Sequence, residues 1–135
     1  MTLVADASVL AEYLLGTAVG GEIAEMFHRD PSLHVPHLAV VEVVSVLRGW
    51  VRAGHVTRSR AEAALDDLSD LPAMRWPADP LLPRIWALRD NLSAYDATYV
   101  ALAEALDATL VTADARLARA VPGETCRIEL VRNPT

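Results

Sequence analysis

Leu92-Ser93-Ala94-Tyr95-Asp96-Ala97-Thr98-Tyr99-Val100-Ala101-Leu102-Ala103 is the stretch on which the reading of this chain turns. Ser93, followed three residues later by Asp96, has the spacing of a helix start. A hydroxyl caps the first turn, and an acid faces the free N–H groups there. Tyr95, Tyr99, Leu102 and Leu106 recur at helical spacing, so one face of a helix running from Ser93 to Leu106 is expected to be core. In the first turn the Asp96 carboxylate is stabilised by the positive end of the helix dipole. Capping alone would satisfy that residue. Three further acids at the edges of apolar segments give it another meaning.

The first lies in Val4-Ala5-Asp6-Ala7-Ser8. Thr2 to Ala5 reads as a buried strand, and Ala7 to Leu15 as a helix closed by Gly16. Asp6 therefore falls at the carboxyl end of a strand, where open parallel sheets bind ligands. It can also cap the helix, and Ser8 can bond the same turn. On the far side of the opening stretch, Asp107-Ala108 turns the chain into the strand Thr109-Leu110-Val111. Thr112-Ala113-Asp114 closes that strand, and a short helix follows over 115 to 120. Asp114 thus repeats the placement of Asp6. The fourth acid, Glu42, interrupts a helix over residues 37 to 53 whose Val40, Val41, Val43, Val44, Val46, Leu47, Trp50 and Val51 cover most of its circumference. Such a helix is expected to be buried on more than one side, by the core and by a partner. A carboxylate among those valines needs a cation or a solvated cavity.

The remaining segments complete an α/β pattern. A short amphipathic helix over 22 to 28 follows Gly20-Gly21, and Asp30-Pro31-Ser32 forms a turn. Leu33 to Val35 is a second strand, broken by Pro36. Gly54 ends the valine-rich helix. Residues 58 to 70 form a charged helix with Ala61, Leu65 and Leu68 inside. Ala73 to Trp76 is a brief third strand. A helix near 81 to 91 presents Ile85, Trp86 and Leu88 as its apolar side. Arg127 to Val131 is an edge strand, and Asn133-Pro134-Thr135 should fray. Strands alternating with helices imply a mainly parallel sheet in one domain.

Composition bounds the chemistry. The chain has 135 residues, 53% of them hydrophobic, enough for a globular core. Its apolar runs fall far short of the roughly 20 residues that span a membrane, and the N-terminus lacks the basic start of a secretory signal. The single cysteine, Cys126, cannot form an intrachain disulfide, which fits a reducing cytoplasm. The net charge is −6, against a simple electrostatic binder of nucleic acid. Every basic side chain is arginine, which excludes a catalytic lysine. The histidines His28, His34, His37 and His55 lack zinc spacing and read as surface or loop residues.

If the strands are neighbours, Asp6, Glu42, Asp96 and Asp114 converge at one end of the sheet. Two unit charges about 4 Å apart repel by roughly 4 kcal/mol at an effective dielectric near 20. Several such pairs would strain a fold whose whole stability is about 5–15 kcal/mol. Either the carboxyl pKa values rise or a divalent cation binds. Oxygen-only ligands select hard ions, Mg²⁺ or Mn²⁺, and such an ion with open positions suits phosphoryl transfer.

The segments Val4–Ser8, Glu42, Ser93–Ala97 and Val111–Asp114 together resemble a PIN-domain ribonuclease, and more narrowly the VapC toxins of type II toxin–antitoxin systems. The likeness covers nearly the whole chain. It implies a single PIN domain over 1–135, a three-layer α/β/α sandwich, a homodimer, and cleavage of RNA with Mg²⁺ or Mn²⁺. The family's acids map onto Asp6, Glu42, Asp96 and Asp114, and its small hydroxyls onto Ser8 and Thr112. Ser45 departs from the pattern, since many relatives carry asparagine there. In this reading Asp6, Asp96 and Asp114 hold the ion, and Glu42 completes the site and positions the attacking water. Arg84, Arg89 and Arg116 are candidate contacts to RNA. The resemblance also implies a VapB-type antitoxin; an apolar helix of it would lie on the valine-rich helix, and an arginine would reach into the acids. Two other classes compete: a non-catalytic acidic metal-binding signalling module of the receiver kind, and a binding protein whose acids are only caps. A receiver needs a lysine beside its phosphoryl group, and this chain has none.

Overall fold

A computed structural model describes residues 2–29, 32–123 and 125–131. Among the described residues five strands form one sheet: β1 (Leu3–Ala5), β2 (Leu33–Pro36), β3 (Met74–Trp76), β4 (Thr109–Thr112) and β5 (Arg127–Leu130). Their order is β3-β2-β1-β4-β5, and every pairing is parallel. The chain first builds outward from β1 to β2 and β3, then crosses to β4 and β5. The switch point therefore lies between β1 and β4, outside whose carboxyl ends ligands bind in such sheets. Register aligns those ends: Leu3 pairs with Thr109 and Ala5 with Val111.

The α-helices of the described residues cover the sheet: α1 (Ala7–Leu15), α2 (Ala18–Arg29), α3 (His37–Arg52), α4 (Arg58–Asp70), α5 (Leu82–Ala87), α6 (Ala94–Ala105) and α7 (Ala115–Ala120). Helix α6, backed by α5, lies against β1, β2 and β4, while α1 packs with α2, α3 and α4 in the other layer. The three-layer architecture is as expected. Val4, Val9, Leu10, Val43, Val100 and Leu110 are among the side chains sealed in its core. No helix among the described residues is long and apolar enough to cross a membrane.

Several expectations are corrected. Helix α2 starts at Ala18 and contains both glycines, because Gly20 is where α1 and α2 touch. A Cβ there would stand 2.2 Å from the Glu12 carbonyl oxygen. Helix α6 is buried all round from Ala97 to Ala103, not along one face. Tyr95 is 62% exposed, because the first turn of α6 stands beyond the strand ends. Helix α5 stops at Ala87, and residues 88–92 continue as turns. The run Arg89-Asp90-Asn91 explains the stop, since Asp and Asn compete for backbone groups. Trp86 is 67% exposed, with the Arg89 guanidinium over its ring, and is not core. On α3 the buried stripe is Ala39, Val43 and Leu47, while Val41 and Val44 are exposed. His34 lies in β2, not in a loop. The expected turn at Asp30-Pro31 and the expected fraying of Asn133–Thr135 fall outside the described residues.

Candidate active site

The carboxyl ends of β1 and β4, the first turn of α6 and the flank of α3 enclose an open cavity of about 580 Å³. Asp6, Glu42, Asp96 and Asp114 all line it, with Ser8, Ser45, Tyr95 and Tyr99. The four acids come from sequence positions more than 100 residues apart at the extremes. They meet because β1 and β4 are neighbours and α6 crosses above them.

Asp6 is the most enclosed. It caps α1, its Oδ1 accepting from the Val9 N–H at 3.1 Å and from the Ser8 hydroxyl at 2.6 Å. Its Oδ2 accepts from the Thr112 hydroxyl. Each hydroxyl in turn accepts a backbone N–H of the turn after β4: Ser8 from Ala113 at 3.2 Å, Thr112 from Asp114 at 3.0 Å. Both oxygens of Asp6 are thus tied through hydroxyls to the backbone that carries Asp114. Burial nonetheless pushes the Asp6 carboxyl above its ordinary range, against these bonds, and Asp114 adds to the rise.

Asp114 caps α7, accepting from the Arg116 and Leu117 N–H groups. Asp96 sits in the first turn of α6, where its N–H donates to Ser93 at 3.1 Å. Ser93 is the cap that the opening stretch requires. Between the two acids stands Arg116, whose guanidinium reaches Asp96 at 3.0 Å and Asp114 at 3.2 Å. Bonding to Asp96, then the charges of both acids, holds the guanidinium pKa above its ordinary value. Beside raised pKa values and a bound metal ion, the structure supplies a third way to relieve the repulsion, an internal cation. Glu42 accepts from the Tyr99 hydroxyl at 2.6 Å. Burial, then Glu42, pushes the Tyr99 phenol far above its usual range.

Among the described residues no three His, Cys, Asp or Glu side chains close on one point as a ready metal site. The donor set is nevertheless all oxygen, anionic and open to solvent on one side, which fits a hard divalent cation. What stands between its members is Arg116. Of the three candidate arginines, only Arg116 reaches the acids. Arg84 pairs with Glu104 and Arg89 covers Trp86. Helical periodicity places Tyr99 in the core and is silent on its hydroxyl. The available signal is its spacing, one turn after Asp96 on the same helix face.

The family model of the PIN domain matches residues 3–121. Ribonuclease VapC1 of Mycobacterium tuberculosis is 41% identical over 130 residues, 96% of this chain and 97% of that protein. The chain belongs to the PIN-domain family, among the VapC ribonucleases. VapC ribonuclease Mb0985 of Mycobacterium bovis is 43% identical over 115 residues, 85% of this PIN domain chain and 87% of that protein. Among solved structures, PAE2754 from Pyrobaculum aerophilum superposes with a TM-score of 0.67 at 26% identity, covering 95% of this chain and 83% of that one. VapBC2 from Rickettsia felis, solved bound to a DNA fragment from its promoter, gives a TM-score of 0.69 at 14% identity over 96% and 98% of the two chains. That second likeness speaks to the fold. PIN-domain nucleases work with divalent metal ions, in keeping with the donor set here.

Proposed function

We propose that this chain is the toxin of a type II toxin–antitoxin pair, an endoribonuclease that hydrolyses RNA phosphodiester bonds with Mg²⁺ or Mn²⁺. The observation that carries the reading is the convergence of Asp6, Glu42, Asp96 and Asp114 on one open cavity at the switch point of the sheet, in a chain of this family.

Asp6, Asp96 and Asp114 would hold the ion, directly or through water. When bound, the ion would take a phosphate oxygen and lower the pKa of a water. Asp6 is held in place by Ser8, Thr112 and the Val9 N–H, so its oxygens need no reorganisation. Glu42, anchored through one oxygen by Tyr99, would help hold the ion through a water with its other oxygen, orienting that water for attack and taking its proton. Arg116 has to leave Asp96 and Asp114 before an ion can sit between them. Swung outward it remains a cation at the rim, suited to an RNA phosphate.

The same acids suit an antitoxin arginine, because Asp96 and Asp114 already bind a guanidinium. The exposed Val41 and Val44 of α3 offer an apolar surface to a VapB-type partner helix or to the second subunit of a homodimer. One PIN domain over 1–135, acting in the cytoplasm, completes the proposal; the lone half-buried Cys126 is in keeping with a reducing compartment.

Asp96→Asn is the test. With the purified chain and Mg²⁺ or Mn²⁺, RNA cleavage should be abolished by EDTA and should fall by about 10²-fold or more in the variant, with its circular dichroism unchanged. Undiminished cleavage by well-folded Asp96→Asn would overturn the assignment. Sequencing the RNA ends made by the wild type would identify the substrate.

A further inference from the structure

Tyr99 is 2% exposed and sits in the fully buried part of α6. Its ring belongs to the core, but its hydroxyl does not end there. It donates to Glu42 Oε1 at 2.6 Å. One phenol oxygen therefore joins the core helix α6 to the helix α3 that carries Glu42.

A glutamate on a partly open helix flank has three side-chain torsions and no reason of its own to favour one rotamer. A buried tyrosine has two, both fixed by packing. Among the described residues nothing else donates to Glu42, so this bond alone sets the position of its carboxylate, and Oε2 is left for water or an ion. The Glu42 carboxylate is thus held from the buried core helix, across the cavity it shares with Asp6.

We infer that Tyr99 is a positioning residue, whose hydroxyl fixes the Glu42 carboxylate for the reaction in the cavity that Asp6 also lines. The inference rests on the nuclease reading and deepens it. A purely structural tyrosine would need an acceptor for its hydroxyl as well, but losing that hydroxyl would then alter only stability. Partners that orient site carboxylates commonly carry 10–100-fold of metal affinity or activity.

The experiment compares wild type, Tyr99→Phe, Glu42→Gln and the double variant. Mn²⁺ binding is read by calorimetry without RNA, and cleavage is read on a fluorophore-quenched mixed-sequence RNA oligonucleotide. Tyr99→Phe should weaken Mn²⁺ binding about 10-fold and lower kcat by about 10–100-fold, with KM within about twofold. In the Glu42→Gln background the same change should alter Mn²⁺ affinity and kcat by less than about twofold, because the group it acts through is already disabled. Wild-type Mn²⁺ affinity in Tyr99→Phe would overturn the inference, as would a full effect that persists without Glu42. Loss of the fold in Tyr99→Phe would overturn it too, by making the hydroxyl a determinant of the fold. A wild type that binds Mn²⁺ but leaves RNA intact breaks the nuclease reading alone, and the calorimetric cycle still decides the role of Tyr99. A wild type that binds no Mn²⁺ overturns both.

Discussion

Thr112→Val removes one oxygen from the centre of the site and leaves the shape of the side chain nearly unchanged. Thr112 is fully buried. Its hydroxyl donates to Asp6 Oδ2 and accepts the Asp114 N–H at 3.0 Å. A hydrogen bond to a charged group contributes about 1.5–3 kcal/mol, and an ordinary one about 1 kcal/mol. The added methyl recovers up to about 0.8 kcal/mol. The net loss is therefore about 2 kcal/mol for the metal-free protein at a pH where Asp6 is ionised. Small domains lose about 1–3 kcal/mol per molar urea, so the urea midpoint should fall by roughly 1 M at fixed protein concentration. The loss should also depend on pH. The Thr112 hydroxyl favours the ionised Asp6 carboxyl, whose pKa burial raises, so the variant's Asp6 titrates higher still. The gap between wild type and variant is thus complete above the variant's higher Asp6 pKa and narrows as pH falls from it through the wild type's lower one. Thr112→Ser keeps the hydroxyl and should keep RNA cleavage within a few-fold, while Thr112→Val loses about 10-fold or more. A midpoint within about 0.2 M of wild type at every pH, or a gap that widens as pH falls, would refute the arrangement of hydroxyls around Asp6.

Two further predictions concern the scaffold. Gly20 and Gly21 are neighbours in α2, but a Cβ at Gly20 meets the Glu12 carbonyl at 2.2 Å, while one at Gly21 meets nothing within 4 Å. Gly20→Ala should lower stability by about 1–3 kcal/mol through overpacking; Gly21→Ala should raise it by about 0.5–1 kcal/mol, and urea midpoints moving in the same direction would contradict the α1–α2 contact. At the sheet edge the Trp76 indole donates to His34 Nδ1 at 2.9 Å, which requires the neutral ring, and burial lowers the His34 pKa. The stability from this pair is present above the unfolded-state value near 6.5 and is lost as pH falls through the lower folded-state value. Between pH 7.5 and 5 wild type should therefore lose more stability than His34→Gln, and equal slopes of melting temperature against pH would exclude the bond.

The sequence by itself determined the local punctuation. Ser93 caps α6, Asp6 caps α1, Gly16 closes α1 with φ +64°, and Asp114 caps α7. Each of these is an interaction between residues a few positions apart, so its spacing is written in the chain. The α/β class and the four acids follow from the same local logic, together with the resemblance to relatives. Tertiary structure alone decided the rest. The adjacency of β1 and β4, which sets Thr112 against Asp6, depends on pairing across more than 100 residues. Gly20 looked like a helix boundary, but it is the point where two helices touch. Tyr95 and Trp86 have core character in an apolar periodicity and are exposed, because a helix buries only the turns that something covers. The sequence pattern likewise gave no sign that Arg116 would stand between Asp96 and Asp114, or that the Tyr99 hydroxyl would take Glu42. Both are meetings between elements, and only the packed geometry puts a donor within 3 Å of a carboxylate it does not neighbour in sequence.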